Sequence, residues 1–167
     1  FDAEELQYIH NTLMPELKMD LPLIQLIAET EWEEKRVQHS GEWENYEYEW
    51  MRTPEGLKKI AGYAAGIGPW FPMLIREEKD SENFTPNQLA AYAHQLALQV
   101  HPYTFRADPQ QLLLLQQIPG APESFDALLA VFLNEIGVDG VFTDHPDKVR
   151  QFIAEQYQRE VVPQTTQ

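Results

Sequence analysis

Gly137-Val138-Asp139-Gly140-Val141-Phe142-Thr143-Asp144-His145-Pro146-Asp147 decides the fold class. The glycine stops one helix, residues 138–143 have the β-branched and aromatic content of a short strand, and a Thr-Asp-x-Pro-Asp turn opens the next helix. Helix, strand, turn and helix in that order write a parallel βα unit. The pattern recurs toward the N-terminus. Asp2 and Glu5 form an Asp-x-x-Glu start, followed by Leu6, Ile9 and Leu13 at helical spacing. Thr53-Pro54-Glu55 opens a second helix with Leu57, Ile60 and Tyr63 turned inward. Thr85-Pro86-Asn87-Gln88 opens a third, carrying Leu89, Tyr92, Ala93 and Leu96. In both, threonine is expected to cap and proline to sit where a missing N–H costs nothing. A fourth helix is expected over 124–136, and a last one over 146–157 that buries Val149, Phe152 and Ile153.

Between the helices lie apolar segments at 21–27, 64–69, 98–105 and 138–143. The expected fold is therefore α/β: the second half of a TIM (β/α)8-type barrel, with about four parallel strands alternating with helices. A complete barrel takes roughly 250 residues, and the chain has 167. The half-barrel is expected over 1–158, with an aromatic and acidic insertion at 29–51 and a loose tail at 159–167. The insertion follows a strand, so in a barrel it lies on the C-terminal face, where sites are built. Residues 70–85 form a second long loop on that face.

A net charge of −15 argues against a nucleic-acid backbone or an anionic membrane as partner. The absence of cysteine excludes disulfides, zinc–thiolate sites and thiol catalysis. No apolar run reaches the ~18 residues of a membrane span, and no nucleotide-binding loop, serine nucleophile elbow or zinc-protease motif is present. With 43% hydrophobic residues, among them 8 Phe, 4 Trp and 7 Tyr, a packed interior is expected.

The polar candidates follow from position. His101-Pro102-Tyr103-Thr104-Phe105-Arg106 ends a strand, where alternate side chains point into the barrel mouth. Arg106 either takes a phosphate in a two-pronged grip or is a surface cation. Tyr103 stacks or donates a hydrogen bond, and His101 titrates there or is a satisfied strand residue. Gln25 lies inside the apolar run Leu23-Ile24-Gln25-Leu26-Ile27, so a barrel-interior network or a ligand must satisfy it. Gly66-Ile67-Gly68-Pro69 is a tight strand exit or, less economically, a phosphate cradle. Capping accounts for Asp144 and Asp147. The glutamates of 29–51 either draw a cation to the mouth or stay solvated, and the insertion's aromatic residues suit a choline-like head group.

These segments, with Asn45-Tyr46-Glu47-Tyr48-Glu49-Trp50-Met51 and Gly140-Val141-Phe142-Thr143-Asp144, together resemble the periplasmic branch of the bacterial glycerophosphodiester phosphodiesterases. The resemblance implies a βα barrel that hydrolyses glycerophosphodiesters to glycerol 3-phosphate and an alcohol with a divalent cation, calcium in this branch, in the periplasm. The family's His-Arg, Glu-x-Asp and His-Asp motifs are not in this sequence, so the cation is expected to be held mainly by residues outside it. No residue here is assigned as catalytic or as a metal ligand. By resemblance Tyr103, Phe1, Gln25 and Trp70 form the substrate-side wall, beside Arg106. The chain is expected to be the C-terminal portion of the enzyme, inactive alone, and to pair with the N-terminal half or with a second copy. The rival expectation is a non-enzymatic binding or scaffold module built on a half-barrel.

Overall fold

The computed structural model describes residues 1–75, 84–111 and 120–161. Along the chain come α1 (Ala3–Tyr8) and α2 (Met14–Leu17), joined by a π-helical turn (Ile9–Leu13), and then β1 (Ile24–Ile27). An excursion follows, holding the antiparallel pair β2 (Arg36–His39) and β3 (Glu42–Asn45). Next are α3 (Pro54–Ile60), β4 (Gly66–Pro69), α4 (Leu89–Gln95) and β5 (Gln99–Val100). The chain then forms α5 (Phe125–Ala130), prolonged as a π-helix (Val131–Ile136), and α6 (Pro146–Val161).

β1, β4 and β5 pair in that order as a parallel sheet, Ile24 opposite Gly66 and Ile67 opposite Val100. The α/β half-barrel pattern is present, and the sheet of described residues does not close into a barrel. Beyond β5 pairing continues as isolated parallel bridges, Trp70 with Tyr103 and Phe105 with Thr143. The strand expected over 138–143 is thus not a strand, and the one expected over 98–105 contracts to Gln99–Val100. The cause is Pro102. Asp139 N–H donates to the Val100 carbonyl, Phe142 N–H to that of Pro102, and Phe105 N–H to that of Phe142. Pro102 has no N–H to offer, so the ladder breaks into two patches around it.

Ile27, Ile67 and Val100, one from each strand, are fully buried and share a core with Leu57, Ile60, Ala93, Leu128 and Phe132 from the helices. Each of the Ile, Val, Leu and Phe side chains among them contributes about 1.5–3 kcal/mol by leaving water. On the other side of the sheet the strands approach closely. A Cβ on Gly66 would stand 2.6 Å from the Gln99 carbonyl oxygen, and one on Gly68 would stand 2.5 Å from Leu26 Cδ2. Gly66-Ile67-Gly68-Pro69 is therefore the strand itself, with glycines where side chains do not fit, and neither a loop exit nor a phosphate cradle.

Most helix ends follow local chemistry. The Asp2 carboxylate accepts from the N–H groups of Glu4 and Glu5, Thr53 Oγ1 from Gly56 and Ser124 Oγ from Ala127. Gly137, at φ 75°, closes the fourth expected helix. The third helix departs from expectation: Asn87 Oδ1 accepts the Leu89 N–H, while Pro86 lies before the helix in a bridge to Ile75. Its buried face is Leu89, Ala90 and Ala93, with Tyr92 37% exposed. In α6, Val149 and Phe152 are buried but Ile153 is 52% exposed. That helix continues to Val161, past the expected boundary at 158, and 162–167 lie outside the described residues.

Gln25 faces the helices. It is 0% exposed, its Oε1 accepts the Tyr63 hydroxyl at 2.9 Å, and its Nε2 donates to the Leu26 carbonyl at 2.9 Å. Side chains alternate along a strand, and Gln25 shares the inward parity of Ile27. It is a buried structural residue and not part of a substrate wall. Burial pushes the Tyr63 hydroxyl far above its ordinary pKa, so it stays a neutral donor. Tyr63→Phe should therefore leave Gln25 Oε1 sealed without that donor and cost about 1–3 kcal/mol. Tyr63→Phe combined with Gln25→Met should recover most of the loss, a double-mutant cycle that urea unfolding can read.

Candidate functional site

The carboxyl ends of the parallel strands bring four aromatic residues together. Trp70 and Tyr103 are bridge partners on neighbouring strands, tied by Phe71 N–H to the Tyr103 carbonyl (3.0 Å) and Tyr103 N–H to the Pro69 carbonyl (3.1 Å). The Tyr103 side chain reaches across to the end of β1, where its hydroxyl donates to the Ile27 carbonyl at 2.6 Å. Its ring meets Phe1 edge-on at 5.8 Å, and Trp70 meets Trp32 edge-on at 5.0 Å. Edge-to-face pairs of this kind are favourable beyond the area they bury. The result is a continuous wall running Phe1, Tyr103, Trp70, Trp32. Burial, and then the carboxylates of Glu34 and Glu29, push the Tyr103 phenol far above its ordinary pKa, making it a donor and not a base.

The insertion is packed down onto this end of the sheet. Trp32 is delivered by a 3-10 turn (Thr30–Trp32), and Thr30 Oγ1 accepts the Tyr48 N–H at 3.2 Å. Lys35 Nζ lies 2.7 Å from Asp2 and 2.9 Å from Glu4, and 5.0 Å above the Tyr46 ring, tying the insertion to α1. Tyr48 and Met51 are buried; the Tyr48 hydroxyl has no partner among the described residues. Sequence patterning does not reveal the β2–β3 hairpin, whose turn carries Ser40 and Gly41 at positive φ and whose Trp43 stays 59% exposed.

Arg106 sits one strand exit away from the wall, beside the Phe105–Thr143 bridge. Its Nε donates to Asp144 Oδ2 at 2.6 Å, and both side chains are exposed. Asp144 is thus a partner of Arg106, while at the start of α6 it is Thr143 Oγ1 that accepts the His145 N–H at 2.9 Å. His101 is not a satisfied strand residue. Its Nε2 is sealed without a partner among the described residues, and its ring packs where a Cβ on Gly140 would lie 3.2 Å from Nδ1. Of the five wall and phosphate candidates, Phe1, Trp70 and Tyr103 converge, Arg106 flanks them, and Gln25 lies in the core.

Asp139 escapes sequence reasoning because its partners are distant in the chain. It accepts the Val100 N–H at 2.8 Å and meets His94 Nε2 at 3.0 Å. Desolvation pushes its carboxyl pKa up, but the Val100 N–H and His94 outweigh this and hold it below the ordinary value. A depressed folded pKa gives stability that is present above the unfolded carboxylate pKa and lost as pH falls through the folded value. Asp139→Asn should therefore flatten the loss of stability below about pH 4, read as melting temperature against pH.

Among the described residues no three His, Asp or Glu side chains are grouped to hold a metal ion, and no helix is long and apolar enough to cross a membrane. Parallel βα units with the candidate groups gathered at the strand ends define the class, a TIM-barrel-type α/β protein. The chain belongs to the glycerophosphoryl diester phosphodiesterase family, a family of hydrolases, whose sequence model matches residues 1–148. It is 38% identical over 155 residues to the glycerophosphodiester phosphodiesterase of Haemophilus influenzae, an alignment covering 92% of this chain and 40% of that protein. Against the glycerophosphodiester phosphodiesterase of Treponema pallidum it is 31% identical over 155 residues, covering 92% and 41%. The chain thus spans 40% and 41% of the length of these two curated relatives.

Proposed function

We propose that this chain is the substrate-facing C-terminal portion of a metal-dependent glycerophosphodiester phosphodiesterase, which converts a glycerophosphodiester and water to glycerol 3-phosphate and an alcohol. The carrying observation is the Phe1–Tyr103–Trp70 wall at the carboxyl edge of a sheet in a family-matched chain. Tyr103, pinned to Ile27, offers a rigid apolar face against which the substrate orients. Arg106, held by Asp144 through Nε, presents a planar guanidinium suited to phosphoryl oxygens. A divalent cation, calcium in this reading, neutralises phosphoryl charge when bound. In this reading its ligands belong mainly to residues outside the chain. Among the described residues β1 is an edge strand of the parallel sheet, and in this reading the remainder of the barrel or a second copy covers it. The compartment in this reading is the periplasm.

The test combines the purified chain with the portion of the Haemophilus influenzae relative that it does not match, and measures glycerol 3-phosphate release. Neither piece alone should be active. The mixture should release product with calcium and stop with a chelator, and Tyr103→Ala should raise KM about tenfold, or ~1.4 kcal/mol of binding. Turnover by the chain alone would overturn this division of labour.

A further inference from the structure

We infer that Asp139-Gly140 is a site of spontaneous backbone rearrangement, aspartate to isoaspartate, and that the clasp of His94 and the Val100 N–H on Asp139 holds it in check. No other Asp-Gly pair occurs in the sequence. Glycine carries no Cβ beside its own nitrogen, so that nitrogen can approach the carboxyl carbon of the preceding aspartate. The Gly140 nitrogen attacks Asp139 Cγ, its proton and a carboxyl hydroxyl leave together as water, and a cyclic imide closes. Water then adds to either carbonyl of the imide. Opening at the side-chain carbonyl restores aspartate. Opening at the main-chain carbonyl routes the chain through Cγ and leaves isoaspartate, with no oxidant or cofactor consumed.

The fold leaves this pair open to attack and depends on both of its residues. Asp139 lies at a bend outside helix and strand, and its side chain is 37% exposed, so water reaches it. The Gly140 N–H donates to no acceptor among the described residues, so no ladder restrains its nitrogen. A larger residue at 140 would meet the His101 ring, 3.2 Å from the Cβ position. Any residue but Asp at 139 gives up a carboxylate whose Oδ2 accepts the Val100 N–H at 2.8 Å and meets His94 Nε2 at 3.0 Å. That clasp opposes the reaction twice. Ring closure consumes the carboxylate, so both contacts are lost on the way. Against the desolvation that pushes its pKa up, the Val100 N–H and His94 also keep the carboxyl ionised, and an ionised carboxylate resists a nucleophile. Isoaspartate would add one carbon to the main chain at a residue whose N–H donates to the Val100 carbonyl at 3.0 Å. The segment thrown out of register leads to Asp144, the partner of Arg106, so conversion loosens that strand exit as the chain ages.

The experiment incubates the purified, folded chain at neutral pH in heavy-oxygen water. Each cycle of closure and reopening then places one heavy oxygen at residue 139, which peptide mapping reads together with the isoaspartate fraction. His94→Ala should raise incorporation at Asp139 about tenfold, the factor that follows from losing one hydrogen bond to a charged group. His94→Gln, which keeps a donor, should stay near the unsubstituted rate. His94 is exposed on α4 and alanine is the better helix former, so the alanine variant should fold, as far-ultraviolet circular dichroism checks. Incorporation spread evenly over the aspartates, or absent from Asp139 in every variant, would overturn the site. Equal rates for the unsubstituted and alanine chains, or a glutamine variant as fast as alanine, would overturn the clasp.

Discussion

Gly56→Ala should cost the chain about 3 kcal/mol, although alanine is the better helix former. The reason lies in how the insertion returns to the barrel. A 3-10 turn (Glu49–Arg52) packs against the first turn of α3, and the Trp50 carbonyl points at Gly56. A Cβ there would lie 1.7 Å from the Trp50 oxygen and 2.7 Å from its carbonyl carbon. The oxygen has little freedom to retreat: it accepts the Thr53 N–H at 3.2 Å and the Thr53 hydroxyl at 2.8 Å, and that hydroxyl also accepts the Gly56 N–H. Moving the turn would break the cap of α3 and lift Met51, fully buried, out of the core. At about 2–4 °C per kcal/mol for a chain of this size, the melting temperature should fall by roughly 10 °C. Gly62→Ala is the comparison, since its nearest neighbour would be 3.2 Å away; it should stay within about 1 kcal/mol. Equal melting temperatures for the two variants would refute the close approach at Gly56.

Capping residues are legible in the sequence because each acts on N–H groups two or three residues away. Asp2, Thr53 and Ser124 accept from the amides their spacing implies. At Thr85-Pro86-Asn87-Gln88 two such acceptors compete within three positions, and nothing local says that Asn87 takes the Leu89 N–H. Strand extent is less legible because a ladder needs donors on both chains. The apolar run 138–143 carries strand chemistry, but its neighbour offers Pro102, and only the fold puts the two side by side.

The site shows the same division. Tyr103 and Trp70 both end apolar strand segments, so their meeting at the mouth follows from parallel pairing. The apolar run around Gln25 does not say which face the side chain takes, because a shift of one residue turns it from one face of the sheet to the other. The partner that holds it, Tyr63, is 38 residues away. Asp139 and His94 are 45 residues apart, and no spacing rule connects them. The acidic excursion is half legible. Its tyrosines and Met51 pack it down as an aromatic-rich insertion should, but Arg36–His39 and Glu42–Asn45 lack the apolar alternation that marks a half-buried strand, so the hairpin has no sequence signature beyond its Ser40-Gly41 turn.

Phe132→Ala should be the other severe substitution, with a loss of about 3–5 kcal/mol. Phe132 lies in the π-helical continuation of α5 and is fully buried. Its ring is 5.0 Å from Phe105, 5.8 Å from Phe71 and 6.2 Å from Phe84, each edge-on. Two of those neighbours adjoin the site in sequence: Phe71 follows Trp70, and Phe105 precedes Arg106. Truncating Phe132 removes the common support beneath both strand exits and opens a cavity that three rings cannot fill without leaving their edge-on geometry. The urea midpoint should fall at an unchanged slope, as expected when stability changes without a change in the surface exposed on unfolding. Phe132→Leu, which keeps most of the volume, should cost roughly 1.5 kcal/mol. If the two variants lost equal stability, packing volume would not be what Phe132 supplies. Because Trp70 and Arg106 each sit one residue from a ring that leans on Phe132, the alanine variant should also loosen the wall. Near-ultraviolet circular dichroism of the still-folded protein should register that loss of fixed aromatic packing before the urea transition begins.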